Sequence, residues 1–328
     1  MKWQNRSTSL IVRRIRKRKK SLENSGNSWV CNFGIRIFAL IIDSLILGGI
    51  GFVLSSFFEQ QFIQLGDLAW GVGALVSISY FSVFNSSLMG GQTLGKNATN
   101  IKVVDANNKT LSFPRSLARY CIFAIPYYLG SVTASSEMML PFADTIVSFL
   151  VIAVFFGTVY LYIFNKVTRQ TLHDVIVGSF VVNLNSAPAV APTKVWKGHL
   201  IIIVTLASLL TVVPAFFSEE ETVDRLSVTQ EILDDFDVVS SSYVASGTRH
   251  FSSSETGSRT TTYVDVSVTL VEDDVLNDSI AQAIAQEVVF SYPESVEKDV
   301  LNVTLSYGYD IGIWSNWNSK TYRFNPKE

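Results

Sequence analysis

Cysteine is nearly missing from this chain. Its only two, Cys31 and Cys121, fall at predicted helix starts, and residues 218–328 hold none. That C-terminal region therefore rests on an ordinary core rather than a disulfide framework. Histidine is as scarce, with His250 alone after residue 218, where no metal-ligand cluster and no catalytic spacing occurs. No loop carries a catalytic set, so the chain reads as a non-enzyme and implies no cofactor. A small-residue cleavage site is missing too. The apolar run after the basic N-terminus is too long for a signal peptide, so no cleaved leader is expected. Lysine and arginine are absent from the stretches 57–67 and 135–141, and this absence sets the expected orientation.

What is present is apolar residue and a divided charge. Of the 328 residues 48% are apolar, which suits a membrane bundle plus one soluble domain. Residues 1–217 hold 19 Lys+Arg against 8 Asp+Glu, whereas residues 218–328 hold 7 against 20. A break of that size marks a domain boundary, because the two parts face different surroundings. Apolar spans fall at about 34–56, 68–89, 119–134, 142–165 and 198–217. The third is short and carries Pro126, Ser131 and Thr133. Residues 90–118 and 166–197 each carry four basic residues, so the positive-inside rule puts both in the cytoplasm and requires the third span to cross. Five crossings from a cytoplasmic N-terminus put residues 218–328 outside. The expected order is a basic cytoplasmic tail (1–30), a membrane domain (31–185), a linker (186–197), a fifth span (198–217) and an acidic extracytoplasmic α+β domain (218–328).

Within the first span, Arg36 and Asp43 are seven residues apart. At about 1.5 Å rise per residue, Asp43 lies roughly 10 Å deeper than Arg36. An ionised group there costs at least about 2.5 kcal/mol without a partner. Arg36 alone can snorkel to the headgroups; Asp43 has too short a side chain. Asp43 is therefore expected to pair with Arg36, Arg115, Arg119 or Arg169, locking helices together or serving transport. In the loops, the turn-forming residues 106–109 predict a small hairpin over 101–113. Residues 168–182, too short to cross and too apolar for open water, predict a partly inserted half-helix on the cytoplasmic side. Asp174 then falls in its first turn, where the helix dipole favours a carboxylate. His173 beside it, four residues from Arg169, suits proton relay but is a lone histidine.

Two further motifs have a bland reading. Residues 90–96, GGQTLGK, match phosphate-binding-loop spacing, but Asn97 stands where Ser or Thr should hold magnesium, and a membrane span precedes instead of a buried strand. A tight glycine turn leaving the membrane, with Lys96 at the phospholipid surface, is preferred. The basic block at 13–20 is read as contacting anionic lipid headgroups, at about 1 kcal/mol per residue, rather than nucleic acid. After the last span come a charged helix at 219–235, strands near 237–250 and 259–271, a helix near 274–291, and strands near 299–309 and 312–324. Val264, Val266, Val268 and Leu270 alternate with polar residues, as one buried face requires. The β-β-α-β-β order predicts a small antiparallel sheet with a helix on one face.

Together, Arg36 and Asp43 in the first span, residues 91–96 (with Gly91, Gly95 and Lys96) after the second, Arg115 and Arg119 before the third, and residues 169–182 after the fourth resemble the RDD family over about residues 30–185. The family's one arginine and two aspartates match Arg36, Asp43 and Asp174. The resemblance implies a bacterial inner-membrane protein, with transport proposed and cation/proton antiport reported for some members. Asp43 would then alternate between a proton and a monovalent cation, with backbone carbonyls or Ser44, Asn85 and Thr93 supplying the remaining ligands.

The resulting expectation is an α-helical multi-span membrane bundle followed by a small soluble α+β domain. Its role would be to carry a small solute or ion across the lipid bilayer. The alternative is a membrane-anchored assembly protein whose outer domain binds a protein partner, Trp314 and Trp317 being its exposed aromatic candidates.

Overall fold

The computed structural model describes residues 29–133, 141–166, 168–184, 195–216, 220–253 and 257–327. The basic block at 13–20 and most of the linker lie outside them. The chain divides into two compact units. One comprises residues 1–50, 74–130 and 139–211; the other comprises 51–73, 131–138 and 212–328.

The helices run α1 (Phe33–Leu65), α2 (Trp70–Phe84), α3 (Leu94–Ala98), α4 (Phe113–Thr133), α5 (Pro141–Phe164), α6 (Leu172–Val177), α7 (Lys197–Val212), α8 (Glu220–Asp234) and α9 (Asp278–Ser291). Phe58 breaks the helical dihedrals within α1. Two helical stretches, Phe33–Phe84 and Thr145–Phe164, are long and apolar enough to cross a membrane; α7 is apolar but shorter. Leu45, Phe57, Ile163 and Ile201 stand more than half exposed on these helices, as lipid-facing positions would in the absence of lipid.

In the first unit, β1 (Ile101–Asp105) pairs antiparallel with β2 (Ser179–Asn183), Val103 opposite Val181. The expected hairpin over 101–113 is therefore corrected. The turn forms, with Lys109 O accepting from Asp105 N and Asn108 left-handed, but β1 takes its partner from far along the chain. The reason is burial: a two-stranded ribbon needs cover on its faces, and β2 with its Val-Val pair gives Ile101, Val103 and Leu111 a shared core with Cys31, Ala39 and Val181. The expected half-helix is also shorter than its apolar run. Gly178, at φ +67°, ends α6 after six residues, and the chain continues as β2.

The second unit is built on a four-stranded sheet in the order β3 (Val239–Ser253), β4 (Gly257–Leu270), β5 (Val300–Asp310) and β6 (Ser315–Phe324). The β-β-α-β-β order is observed, and Val264, Val266, Val268 and Leu270 are all buried. The sheet is mixed, however, rather than antiparallel. β4 and β5 run parallel because α9 carries the chain back between them, the connection that parallel neighbours need. Asn277 caps α9 by accepting from Ser279 N. Ala281, Ile284, Ala285 and Val288, at helical spacing, face the sheet's core. The same unit takes in the turn between α1 and α2. Phe62 and Ala69 pack with Tyr309 and Ile311 in one cluster, and Glu59 Oε1 accepts from Asn316 Nδ2 at 3.2 Å.

Ile284 is fully buried at the centre of the helix–sheet contact. Ile284→Ala should lower the stability of this unit by about 2–5 kcal/mol. Thermal unfolding of the full chain in detergent, followed by the fluorescence of its tryptophans, checks this.

Candidate functional site

The first unit concentrates its ionisable side chains around two buried carboxylates. Asp174 is fully buried and carries the larger set of partners. Thr171 begins α6 as its N-cap and Asp174 is the third helical residue, completing a reciprocal capping box. Arg119 of α4 donates from Nε to Asp174 Oδ1 at 2.9 Å, and its Nη2 lies 2.8 Å from the same oxygen. Arg36 of α1 donates from Nη1 to Oδ2 at 3.4 Å and from Nη2 to Val181 O at 3.3 Å. The Ser179 and Thr171 hydroxyls add bonds of 2.7 and 3.0 Å. Burial pushes the Asp174 carboxyl up, but Arg119, His173 and Arg36 together outweigh it and hold it well below the usual carboxylate range.

Asp43 has a different setting. Its expected pairing with an arginine is corrected, since the groups that reach it are neutral. Tyr80 donates from its hydroxyl at 2.8 Å, Thr93 from its hydroxyl at 2.6 Å, and Gly95 from its backbone N at 2.8 Å. Arg36, the nearest candidate in sequence, is turned to Asp174 instead of snorkelling. Three donors fill most of a carboxylate's roughly four acceptor positions, which removes the need for a counter-charge. Of the oxygen ligands expected around Asp43, Thr93 is present but as a donor, and Asn85 instead donates to Phe81 O.

The glycines of the 90–96 turn have a steric cause. Gly90 and Gly91 are left-handed, and a Cβ on Gly91 would lie 2.5 Å from Val103 O. A Cβ on Gly95 would lie 2.1 Å from Ala39 O and 2.9 Å from Asp43 Cγ. Only a glycine lets α3 rest on α1 closely enough for its N–H to reach Asp43. Thr93 caps α3 by accepting from Lys96 N. Lys96 departs from its expected place at the phospholipid surface. It lines a partly open cavity, its Nζ 3.4 Å from Thr93 Oγ1 and 5.6 Å from the Phe81 ring centroid.

That cavity, about 190 Å³, brings together Arg36, Asp43, Lys96, Arg119, His173 and Asp174. Two sequence-predicted residues stand apart from it. Arg115 donates from Nε to Val177 O and from Nη2 to Gly178 O, closing the carbonyl end of α6. Arg169, left-handed at φ +51°, lines a separate recess with Lys166 and Cys31 and makes no ion pair among the described residues. Tyr80, Ser179 and Thr158 were not foreseen as site residues. Only the run of polar residues around the Arg/Asp signature hints at Ser179; Tyr80 and Thr158 sit in apolar helices with nothing local to mark them.

Burial, reinforced by Arg119, drives the His173 imidazole down to about 3, against the pull of Asp174, so it is neutral at physiological pH. Burial and Arg119 lower Lys96 to about 8, partly offset by Asp43 and Asp174.

An α-helical domain with apolar helices of membrane length, held by buried arginine–aspartate contacts beside a cavity that ionisable side chains line, defines a class of membrane protein. The sequence model of the RDD family matches residues 30–178, consistent with an RDD family protein that has an additional C-terminal region. No curated protein and no solved structure matches the chain.

Two outcomes are expected. Gly95→Ala forces overpacking against Ala39 and displaces a donor from Asp43, for a loss of about 1–3 kcal/mol; a melting curve in detergent measures it, and an unchanged melt contradicts the close approach. The second concerns pH. His173 in the folded chain takes a proton only near 3, whereas the unfolded chain takes it near 6.5. Stability should therefore fall as pH drops through that window, by at most about 1.4 kcal/mol per unit. Asp174, held low, adds its own loss only below the ordinary carboxylate range. His173→Gln should flatten the decline between pH 6 and 4 in thermal melts across that range.

Proposed function

We propose that this protein is a multi-pass protein of the bacterial inner membrane that carries a small solute or ion through the cavity of its RDD domain. The observation that carries the reading is the cavity itself, where three cationic side chains, a neutral imidazole and two carboxylates meet in a domain of apolar helices. Buried ionisable groups in a membrane domain are costly and mark functional paths by default. Five crossings, with the N-terminus in the cytoplasm and the C-terminal domain outside, fit the loop charges. The fold adds support. The Lys/Arg-free stretch 57–67 packs within the same compact unit as the C-terminal sheet, as expected if both lie on the outer side.

Exchange of a cation for a proton at Asp43 is the less favoured form of this reading, because that carboxylate already accepts from three donors, and the hydroxyl oxygens of Tyr80 and Thr93 face it as donors. The solute's contacts are better supplied by Lys96, His173 and Arg119. A second reading, a membrane-anchored assembly protein, draws support from the C-terminal domain, where Phe290 is 82% exposed and Trp317 about half exposed.

Flux through purified protein in liposomes separates the two. The wild-type protein should dissipate an imposed solute or pH gradient faster than protein-free vesicles, and Lys96→Met should remove most of that excess. Identical rates with and without protein, across sodium, potassium, proton and organic-anion gradients, would leave the assembly reading in possession.

A further inference from the structure

The charges and hydrogen-bonding groups of the cavity are not balanced, and the imbalance has one sign. Three cationic side chains, Arg36, Lys96 and Arg119, line it against two carboxylates, Asp43 and Asp174. Both carboxylates are engaged by protein donors, as described above. What is left over donates. Arg36 Nε is buried with no acceptor, in a side chain about 95% buried. The Thr158 hydroxyl is buried without a partner. His173 Nδ1 is likewise unpartnered, and its protonation follows from its other nitrogen. Nε2 lies 3.2 Å from Arg119 Nη2, which can only donate. Nε2 also lies 2.9 Å from the Thr171 hydroxyl, which can donate or accept; with Nε2 accepting from Arg119, the neutral ring carries its proton on Nδ1. The Lys96 ammonium has one long contact, to Thr93 Oγ1, and so keeps donors to spare.

An unpaired buried donor costs about 1–3 kcal/mol. Here three of them, and an under-used ammonium, belong to side chains that line one cavity. A metal cation would add charge to an already positive site, whose two carboxylates are already engaged by protein donors. We propose that the cavity is the binding site of an oxyanion, a carboxylate or phosphate group held by Lys96, His173 Nδ1–H, Arg36 and Thr158. The rest of the lining is aliphatic and aromatic, including Ile37, Leu40, Phe81, Phe123 and the rings of Tyr120 and Tyr162, so the ligand's body is mostly apolar too. A soluble aryl or short-chain organic anion and the headgroup region of an anionic phospholipid share this chemistry. The inference rests on the proposed transport reading for its biological sense, since the anion would be the solute carried, but its binding test does not.

The test uses the full chain in nanodiscs of a zwitterionic lipid, with phenyl phosphate and benzoate as probes and benzyl alcohol as the neutral control. The two anions should raise the melting temperature in a saturable way at constant ionic strength, and benzyl alcohol should not. Lys96→Met should weaken binding at least tenfold, and Thr158→Val about threefold. Neither change removes a protein–protein ion pair, so both variants should fold; a melt in probe-free buffer confirms it. If nanodiscs containing phosphatidylglycerol raise the melting temperature by themselves and blunt the probe's effect, the lipid headgroup is the occupant; if they do neither, the soluble anion is. No shift with either anion in the zwitterionic discs and none with phosphatidylglycerol, or equal shifts in wild type and Lys96→Met, overturns the proposal. Anion binding without anion flux keeps the site and overturns the transport reading. Flux of a cation without anion binding does the reverse.

Discussion

The contact of Arg36 and Arg119 with the Asp174 carboxylate holds α1 and α4 to the consecutive elements α6 and β2, which lie far along the chain from both. Arg36 brings α1, Arg119 brings α4, Asp174 belongs to α6, and Ser179 opens β2. All three charged side chains are buried. Removing one partner from such a group typically costs about 3–5 kcal/mol, because the remaining charge is stranded. The interaction therefore sets geometry more than it adds net stability. It also reaches the ribbon. Arg36 donates to Val181 O and Gln170 to Ser179 O, so the same cluster that seats α6 fixes where β2 begins and which residues face β1.

Asp43 does a parallel task by other means. Its three donors come from α2, from the turn after it and from α3. The carboxylate gathers that turn against α1 with hydrogen bonds alone. The division of labour follows from what each site can supply. The arginines of α1 and α4 are positioned where α6 turns into β2, a place whose buried carbonyls and hydroxyls finish the coordination of a charged cluster. Around Asp43 the backbone is held close by Gly95, and close backbone offers N–H groups rather than cations. Asp174 thus consumes the positive charge that Asp43 was expected to attract, and Lys96 is left with no carboxylate of its own.

Local pattern made some of this legible in the sequence, and its limits were also local. The alternation of Val264, Val266, Val268 and Leu270 gave a one-face-buried strand, and the helix between β4 and β5 was evident from its spacing. Neither tells a strand whether its next neighbour runs parallel or antiparallel, which depends on where the α9 crossover returns the chain. The capping role of Asp174 was readable because a cap is a short-range device. The partner of Asp43 was not, because it depends on Tyr80 and Gly95, whose relevance lies in a close approach of α3 to α1 that no residue spacing encodes. The β1–β2 pair was missed for the same reason: its strands are almost eighty residues apart, and the nearer turn at 106–109 imitates a hairpin.

Lys96 shows why the polar excess of the cavity is better explained by use than by stability. Its lowered value near 8 means that folding works against its charge, since burial and Arg119 disfavour the proton more than Asp43 and Asp174 favour it. At neutral pH the folded chain still carries that proton, and so retains an unfavourable charge. A methionine of similar length would fill the same space beside Phe81 without this penalty. A structural role therefore gives no reason for an ammonium at this position. The neighbouring unpartnered donors point the same way, because each is a group whose burial is unfavourable until an acceptor arrives. When stabilising contacts are already supplied by Asp174 and Asp43, donors left over in one cavity mark what the fold has kept open for something other than itself.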